Sequence, residues 1–284
     1  MTIPKLDNYA LPTAAELPKN KVSWAFEPAR AALLIHDMQE YFLNFWGEDS
    51  PLIKQVVANI AQLRQYCKSQ NIPVFYTAQP NQQSDEDRAL LNDMWGPGLN
   101  KHPAQQNVVT ALAPDEQDQV LVKWRYSAFH RSPLESMLKE AGRDQLIICG
   151  VYAHIGCLTT AIDAFMRNIK PFMVADALAD FSREEHMMSL TYAAGRCGRV
   201  VMSETLLPVP QSKQQLRALV LPLLDDDADD LDDSENLIDY GLDSVRMMAL
   251  AARWHQVHSD IDFVTLAKNP SINGWWSLLS GDAA

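Results

Sequence analysis

Six short apolar runs, separated by stretches with helical spacing, constrain this chain more than any other feature. They are AALLIHDM (31–38), IPVFYTAQ (72–79), DQVLVKWR (118–125), DQLIICGVY (144–152), KPFMVADAL (170–178) and GRVVMSE (198–204). Such runs suit strands covered on both faces. Between them lie helical patterns such as PLIKQVVANIAQLRQYCKSQN (51–71). Another opens at SPLE (132–135), with Ser132 expected as N-cap, Pro133 as the first helical residue and Glu135 at N3. Regular alternation of this kind predicts an α/β domain, a parallel sheet between helical layers. Its site should lie beyond the carboxyl ends of the strands.

The alternation stops near Glu204, and LLPVPQSK (206–213) reads as a linker. We therefore expect one domain over 1–207, a linker over 208–212 and a small all-α domain over 213–284. In the latter, QQLRALVLPLL (214–224) and SVRMMALAARWHQVH (244–258) read as helices. DFVTLAKNPSINGWWSLLS (262–280) reads as two shorter ones around Asn269-Pro270. DDDADDLDDSENLIDYGLD (225–243) holds ten acids and no base, and is expected to be an extended loop.

Charge follows the same division. The net charge is −12, with 19 basic and 23 acidic residues over 1–207 but 5 and 13 over 208–284. Nucleic acid is excluded as a natural partner of such a surface, whereas the acidic tail suits either solubility alone or docking on a basic partner. Apolar runs stop short of the roughly 18 residues of a membrane span. The opening MTIPKLDNYALP lacks a secretory pattern, so a cytoplasmic protein is expected. Cys67, Cys149, Cys157 and Cys197 form no CxxC pair, which argues against a disulfide framework or a structural zinc.

Two motifs carry chemistry. In DYGLDSVRMMAL (239–250), Ser244 opens a helix beside unpaired backbone N–H groups, a favourable place for a phosphate. An ordinary serine N-cap is the plainer reading. Of Met247 and Met248, at least one should be exposed, as an adaptable contact surface. Residues 213–280 resemble the acyl and peptidyl carrier proteins, and the resemblance implies 4′-phosphopantetheine attached at Ser244.

The second motif, GVYAHIGCLTTAIDA (150–164), resembles the cysteine hydrolase/isochorismatase-like family and its pattern G-φ-x-T-D-x-C-V-x-x-T-A-x-D-A, where φ is apolar. Aligned on Thr160-Ala161-x-Asp163-Ala164, the nucleophile column falls on Gly156, and Cys157 takes the column of the following valine. Adjacent helical residues point about 100° apart, so Cys157 is expected to be packing. Asp37 and Lys123, at the ends of AALLIHD and VLVK, match family positions. An acid and a lysine without the nucleophile resemble the isochorismatases that lack the cysteine. RAALLIHDMQEYF, SDEDRALLNDMWGPG, VLVKWRYSAF and ADALADFSREEH extend the likeness over the whole chain. It resembles the bifunctional isochorismatase/aryl carrier proteins of enterobactin-type siderophore biosynthesis.

That resemblance implies hydrolysis of the vinyl ether of isochorismate to 2,3-dihydro-2,3-dihydroxybenzoate and pyruvate. Asp37 is the implied proton donor, its pKa raised by an apolar pocket and opposed by Lys123, with the dianionic substrate offsetting that cation. Gly156 is expected to leave room for substrate or water. Arg88, either a solvated helix residue or a bidentate carboxylate partner, is favoured as the latter by the resemblance. Gln79 and Tyr152 are implied hydrogen-bonding residues, Phe42, Trp46 and Trp95 implied walls, and His36 a structural neighbour.

A 2,3-dihydroxybenzoate-AMP ligase, a phosphopantetheinyl transferase and a downstream non-ribosomal peptide synthetase are the implied partners. A homodimer or larger assembly is expected. Magnesium is expected in the transfer reaction, with Asp243 as a candidate ligand. The rival readings are a nicotinamidase-like amidohydrolase using Cys157 and a non-catalytic scaffold.

Overall fold

The computed structural model describes residues 3–207, 209–210, 213–224, 231–255 and 258–281. The chain forms two compact units, Met1–Leu206 and Leu207–Ala284.

In the first unit each apolar run contains a strand: β1 Ala31–His36, β2 Val74–Ala78, β3 Gln119–Val122, β4 Gln145–Val151, β5 Lys170–Ala179 and β6 Arg199–Val201. All pairings are parallel, in the order β3-β2-β1-β4-β5-β6. Every residue of β1 and β4 is buried, the physical origin of their unbroken apolar sequence. The helices are α1 Glu40–Leu43, α2 Pro51–Ser69, α3 Asp85–Arg88, α4 Leu90–Trp95, α5 Leu134–Glu140, α6 Leu158–Met166, α7 Arg183–Arg196 and α8 Ser203–Leu206.

Helix α2 packs on β1, β2, β4 and β5. It buries Leu52, Val56, Ile60, Leu63 and Cys67, spaced three or four apart on one stripe. Ser50 caps it by accepting the Ile53 N–H, with Pro51 in the first turn. On the opposite face Leu134, Leu138, Ala161 and Leu190, from α5, α6 and α7, meet Ala32, Leu34, Leu146 and Ile148. The result is a three-layer α/β/α unit. Its strand order reverses between β1 and β4, which opens a crevice at their carboxyl ends.

One local expectation is corrected. Helix α5 starts at Leu134, so Pro133 precedes it. Ser132 Oγ still accepts the Leu134 N–H at 3.3 Å, but Glu135 pairs with Arg167 instead of closing a capping box.

The second unit contains α9 Lys213–Val220, α10 Ser244–His255, α11 Phe263–Lys268 and α12 Ile272–Ser280. Trp254 and Trp275 meet edge-on, 5.6 Å between ring centres, in a core with Leu216, Leu250 and Leu266. Val209, expected in the linker, is buried in that core; Pro208, Gln211 and Ser212 lie outside the described residues. Of the acidic stretch, 225–230 also lie outside them. The remainder is not simply extended. Leu231 and Leu237 anchor it in the core, and Leu237–Tyr240 forms a 3-10 turn that ends at Gly241, φ +89°. Among the described residues no helix is long and apolar enough to cross a membrane.

Candidate active site

The pocket at the carboxyl end of the sheet is built from residues that directly follow strands. Asp37 follows β1, Gln79 follows β2, Lys123 follows β3, Tyr152 and Gly156 follow β4, and Phe181 follows β5. All eight residues singled out as catalytic or substrate-binding in this unit line it: Asp37, Gln79, Lys123, Tyr152 and Gly156, together with Phe42, Arg88 and Trp95. Trp46 does not. It is buried behind the wall, with its ring 5.5 Å from that of Tyr152.

Asp37 and Lys123 form a buried ion pair, Oδ2 to Nζ 3.0 Å. Asp37 stands in the left-handed region at φ +51°. Thr77 Oγ1 accepts its backbone N–H at 3.1 Å and donates to its Oδ1 at 2.5 Å. Burial, the largest single influence, opposes ionisation of Asp37. His36, Lys123 and the hydrogen bonds from Thr77 and Lys123 together outweigh it, so the carboxyl lies below its ordinary range. This corrects the expectation of a raised value, because His36 and the Thr77 hydroxyl add to the opposing pull expected of Lys123 and together they outweigh burial.

His36 has a structural place. Its Nδ1 donates to the Val151 carbonyl at 2.8 Å, and burial pushes its pKa down to about 4. The ring also explains Gly156. A Cβ on Gly156 would lie 2.2 Å from His36 Cε1, closer than any real contact. The space expected to admit substrate or water is therefore filled by imidazole. Cys157 is fully buried in the core shared with α5, α6 and α7. Burial pushes its thiol well above the ordinary range, the opposite of what a nucleophile needs.

Arg88 is buried although it belongs to a surface helix. Its guanidinium donates to Gln83 Oε1 at 3.1 Å, Asn92 Oδ1 at 3.1 Å and the Gly96 carbonyl at 2.5 Å. All three acceptors are neutral, and among the described residues no carboxylate pairs with it. Gly98, φ +54°, makes room: a Cβ there would lie 2.8 Å from Nη2. A buried cation held by neutral oxygens at a pocket wall is prepared for an anionic ligand.

The Gln79 backbone is fixed by the buried Gln39 amide, which accepts its N–H and donates to its carbonyl. The Tyr152 hydroxyl donates to the Phe42 carbonyl at 2.8 Å. With its hydrogen so engaged, the ring and the oxygen lone pair of Tyr152 remain for a ligand. Sequence reasoning missed Tyr126, whose hydroxyl accepts from Trp95 Nε1 at 2.9 Å, and Phe181, stacked edge-on against Tyr152 and Trp95. Phe181 was discoverable from its place just past a strand. Thr77 and Gln39 carried no local signal.

Among the described residues the only group of three side chains spaced to hold a metal ion is His154, Asp180 and Glu185. Both Asp180 oxygens accept hydrogen bonds, from the His154 backbone, the His154 ring and the Phe181 N–H.

In the second unit, Asp243 Oδ1 accepts the Arg246 N–H at 2.7 Å. Asp243 is thus the cap of α10, and Ser244 is its exposed first residue. The plainer reading of Ser244 as N-cap is overturned, and an exposed hydroxyl at a helix start fits a covalently attached phosphate ester. Asp243 joins no group of potential metal ligands among the described residues. Met247 is buried, while Met248 and Val245 are 49% and 68% exposed beside the serine.

Comparison with known proteins finds a match for each unit. Residues 31–205 match the isochorismatase domain family, and residues 214–278 match the phosphopantetheine attachment site family. The chain is 73% identical to enterobactin synthase component B of Escherichia coli (strain K12) over 99% of each chain. It is 47% identical to the isochorismatase of Bacillus subtilis (strain 168), over 99% of this chain and 96% of that one. A cysteine hydrolase structure from Pseudomonas syringae pv. phaseolicola 1448A superposes with a TM-score of 0.59 at 26% identity, covering 64% of this chain and 92% of the other. The chain belongs to the isochorismatase family, with a phosphopantetheine attachment domain following the hydrolase domain.

Proposed function

We infer that the protein hydrolyses isochorismate to 2,3-dihydro-2,3-dihydroxybenzoate and pyruvate over residues 1–207, and carries an aryl group on residues 213–284, with Val209 of the 208–212 junction packed into the core of that second unit. The observation that carries the first half is the buried Asp37–Lys123 pair in a pocket whose nucleophile position is glycine. A vinyl ether needs a proton on its terminal methylene carbon, which leaves an oxocarbenium ion. Water adds to that cation, and the hemiketal collapses to pyruvate and the ring alcohol. No step needs a covalent enzyme intermediate, so a thiol is dispensable.

Asp37 gives the proton and regains one from the attacking water. It lies below its ordinary range before substrate enters. Asp37 must therefore take up a proton from solvent as the ligand binds: a substrate carboxylate beside Lys123 takes over that ammonium and raises the Asp37 pKa. Arg88 takes a carboxylate in bidentate fashion, Gln79 hydrogen-bonds the substrate, and Phe42, Trp95, Tyr152 and Phe181 exclude bulk water.

In the carrier unit, 4′-phosphopantetheine on Ser244 supplies a terminal thiol for thioester linkage of 2,3-dihydroxybenzoate. Ser244 presents the attachment oxygen, and Val245 and Met248 form an apolar rim for visiting enzymes. A 2,3-dihydroxybenzoate-AMP ligase, a phosphopantetheinyl transferase using magnesium and a downstream non-ribosomal peptide synthetase are those partners. Four buried free cysteines fit a cytoplasmic location. The open edge of β3, with Val120 and Val122 exposed, fits self-association as a homodimer or larger assembly.

The test is pyruvate release from isochorismate by wild type, Cys157→Ala and Asp37→Asn. Equal turnover by wild type and Cys157→Ala, with loss in Asp37→Asn, is expected. A folded but inactive Cys157→Ala restores the thiol mechanism.

A further inference from the structure

Thr77 lies fully inside the sheet on β2, in register with His36 and so one residue short of Asp37. Its single hydroxyl serves Asp37 twice, accepting the backbone N–H at 3.1 Å and donating to Oδ1 at 2.5 Å. The left-handed backbone at Asp37, φ +51°, is costly for a residue with a side chain and persists where neighbours hold it. Thr77 holds both the main chain and the carboxyl.

The hydroxyl has one hydrogen, directed at Oδ1. The reverse arrangement, a protonated Oδ1 donating to Thr77, would leave that hydrogen without an acceptor among the described residues. A buried, unsatisfied hydroxyl is disfavoured. The other oxygen, Oδ2, is the one beside Lys123.

We propose that Thr77 is a positioning residue whose hydroxyl fixes the Asp37 carboxyl and confines the transferable proton to Oδ2, the oxygen beside Lys123. This rests on Asp37 being the proton donor. In the step itself the Oδ2–H bond breaks and a C–H bond forms at the terminal methylene of the vinyl ether. The water that adds to the resulting cation returns a proton to Oδ2. Thr77 neither gives nor receives a proton; it keeps Oδ1 an acceptor throughout.

The titratable groups facing Asp37 are His36 on its own strand, Lys123 past β3, and Tyr152 and Cys157 past β4. Burial holds Tyr152 and Cys157 well above their ordinary values and His36 down at about 4. An alkaline fall in kcat therefore reports loss of the Asp37 proton in the substrate complex.

The experiment measures kcat and KM for isochorismate against pH in wild type, Thr77→Val, Thr77→Ser and Asp37→Asn. Valine is expected to lower kcat by roughly ten- to a hundredfold with little change in KM. It should also move the alkaline limb of kcat upward by about one to two pH units, because a hydrogen bond favouring the carboxylate is gone. Serine is expected to restore both. If valine prevents folding, Thr77→Ala takes its place. Wild-type kcat and an unmoved limb in the hydroxyl-free variant overturn the proposal, as does a loss of kcat that leaves the limb unmoved and that serine does not recover. If Asp37→Asn turns over normally, the proton-donor reading fails and this inference with it. If Asp37→Asn is inactive while Thr77→Val behaves as wild type, only the inference fails.

Discussion

At Gly156 the missing side chain is a packing requirement. The His36 ring occupies the place of a Cβ, and His36 is itself held by the Val151 carbonyl. Gly156→Cys should therefore not create a thiol enzyme. It is expected to destabilise the first unit by about 1–3 kcal/mol and to lower pyruvate release, checked by urea unfolding and turnover. His36 and His186 have a second consequence. Both are buried, and burial pushes both down to about 4 from 6.5. Between those values the unfolded chain binds protons that the folded chain does not, so stability falls as pH falls. The loss is on the order of 3 kcal/mol for each histidine. Unfolding free energies measured at pH 7 and pH 4.5 should differ accordingly, and His186→Gln should flatten the slope.

At the scale of elements, α10 separates two roles that its sequence places side by side. Asp243 caps the helix, whereas Ser244 sits exposed in its first turn. Asp243→Ala is expected to cost the carrier unit about 1 kcal/mol, read as a lower midpoint in thermal unfolding. Ser244→Ala should leave that midpoint unchanged and abolish the phosphopantetheine mass increment in intact-mass spectra. The turn after α4 is built round Arg88. Gly98→Ala meets both a positive φ and the guanidinium 2.8 Å away. Its expected effect is a raised KM for isochorismate, roughly tenfold, with kcat nearly kept, as follows if Arg88 holds a substrate carboxylate in ground and transition state alike.

Across the whole molecule, two cores account for two activities. Every residue lining the pocket falls between Ile3 and Phe181, and the carrier core draws on Val209 to Leu279. A chain ending at 207 should release pyruvate at the full-length rate. A chain starting at 207 should still accept the phosphopantetheine arm. Loss of turnover on truncation would overturn this independence.

The sequence by itself determined the parallel sheet, because strands buried on both faces must be apolar throughout, as β1 and β4 are. It also determined the strand-end positions of Asp37, Gln79, Lys123, Tyr152 and Gly156, since a site in such a sheet has to lie just past those runs. The place of Ser244 at the opening of a helix was legible as well, from a short motif next to an acidic stretch. Only the tertiary structure decided the ionisation of Asp37, the filling of the Gly156 space and the occupied Tyr152 hydroxyl. Each depends on a contact between residues far apart in the chain: Thr77 and Lys123 against Asp37, His36 against Gly156, Phe42 against Tyr152. Periodicity and motif spacing record which face a residue occupies. They carry no information about which side chain from another strand arrives within 3 Å of it, and at that distance charge and hydrogen bonding are set.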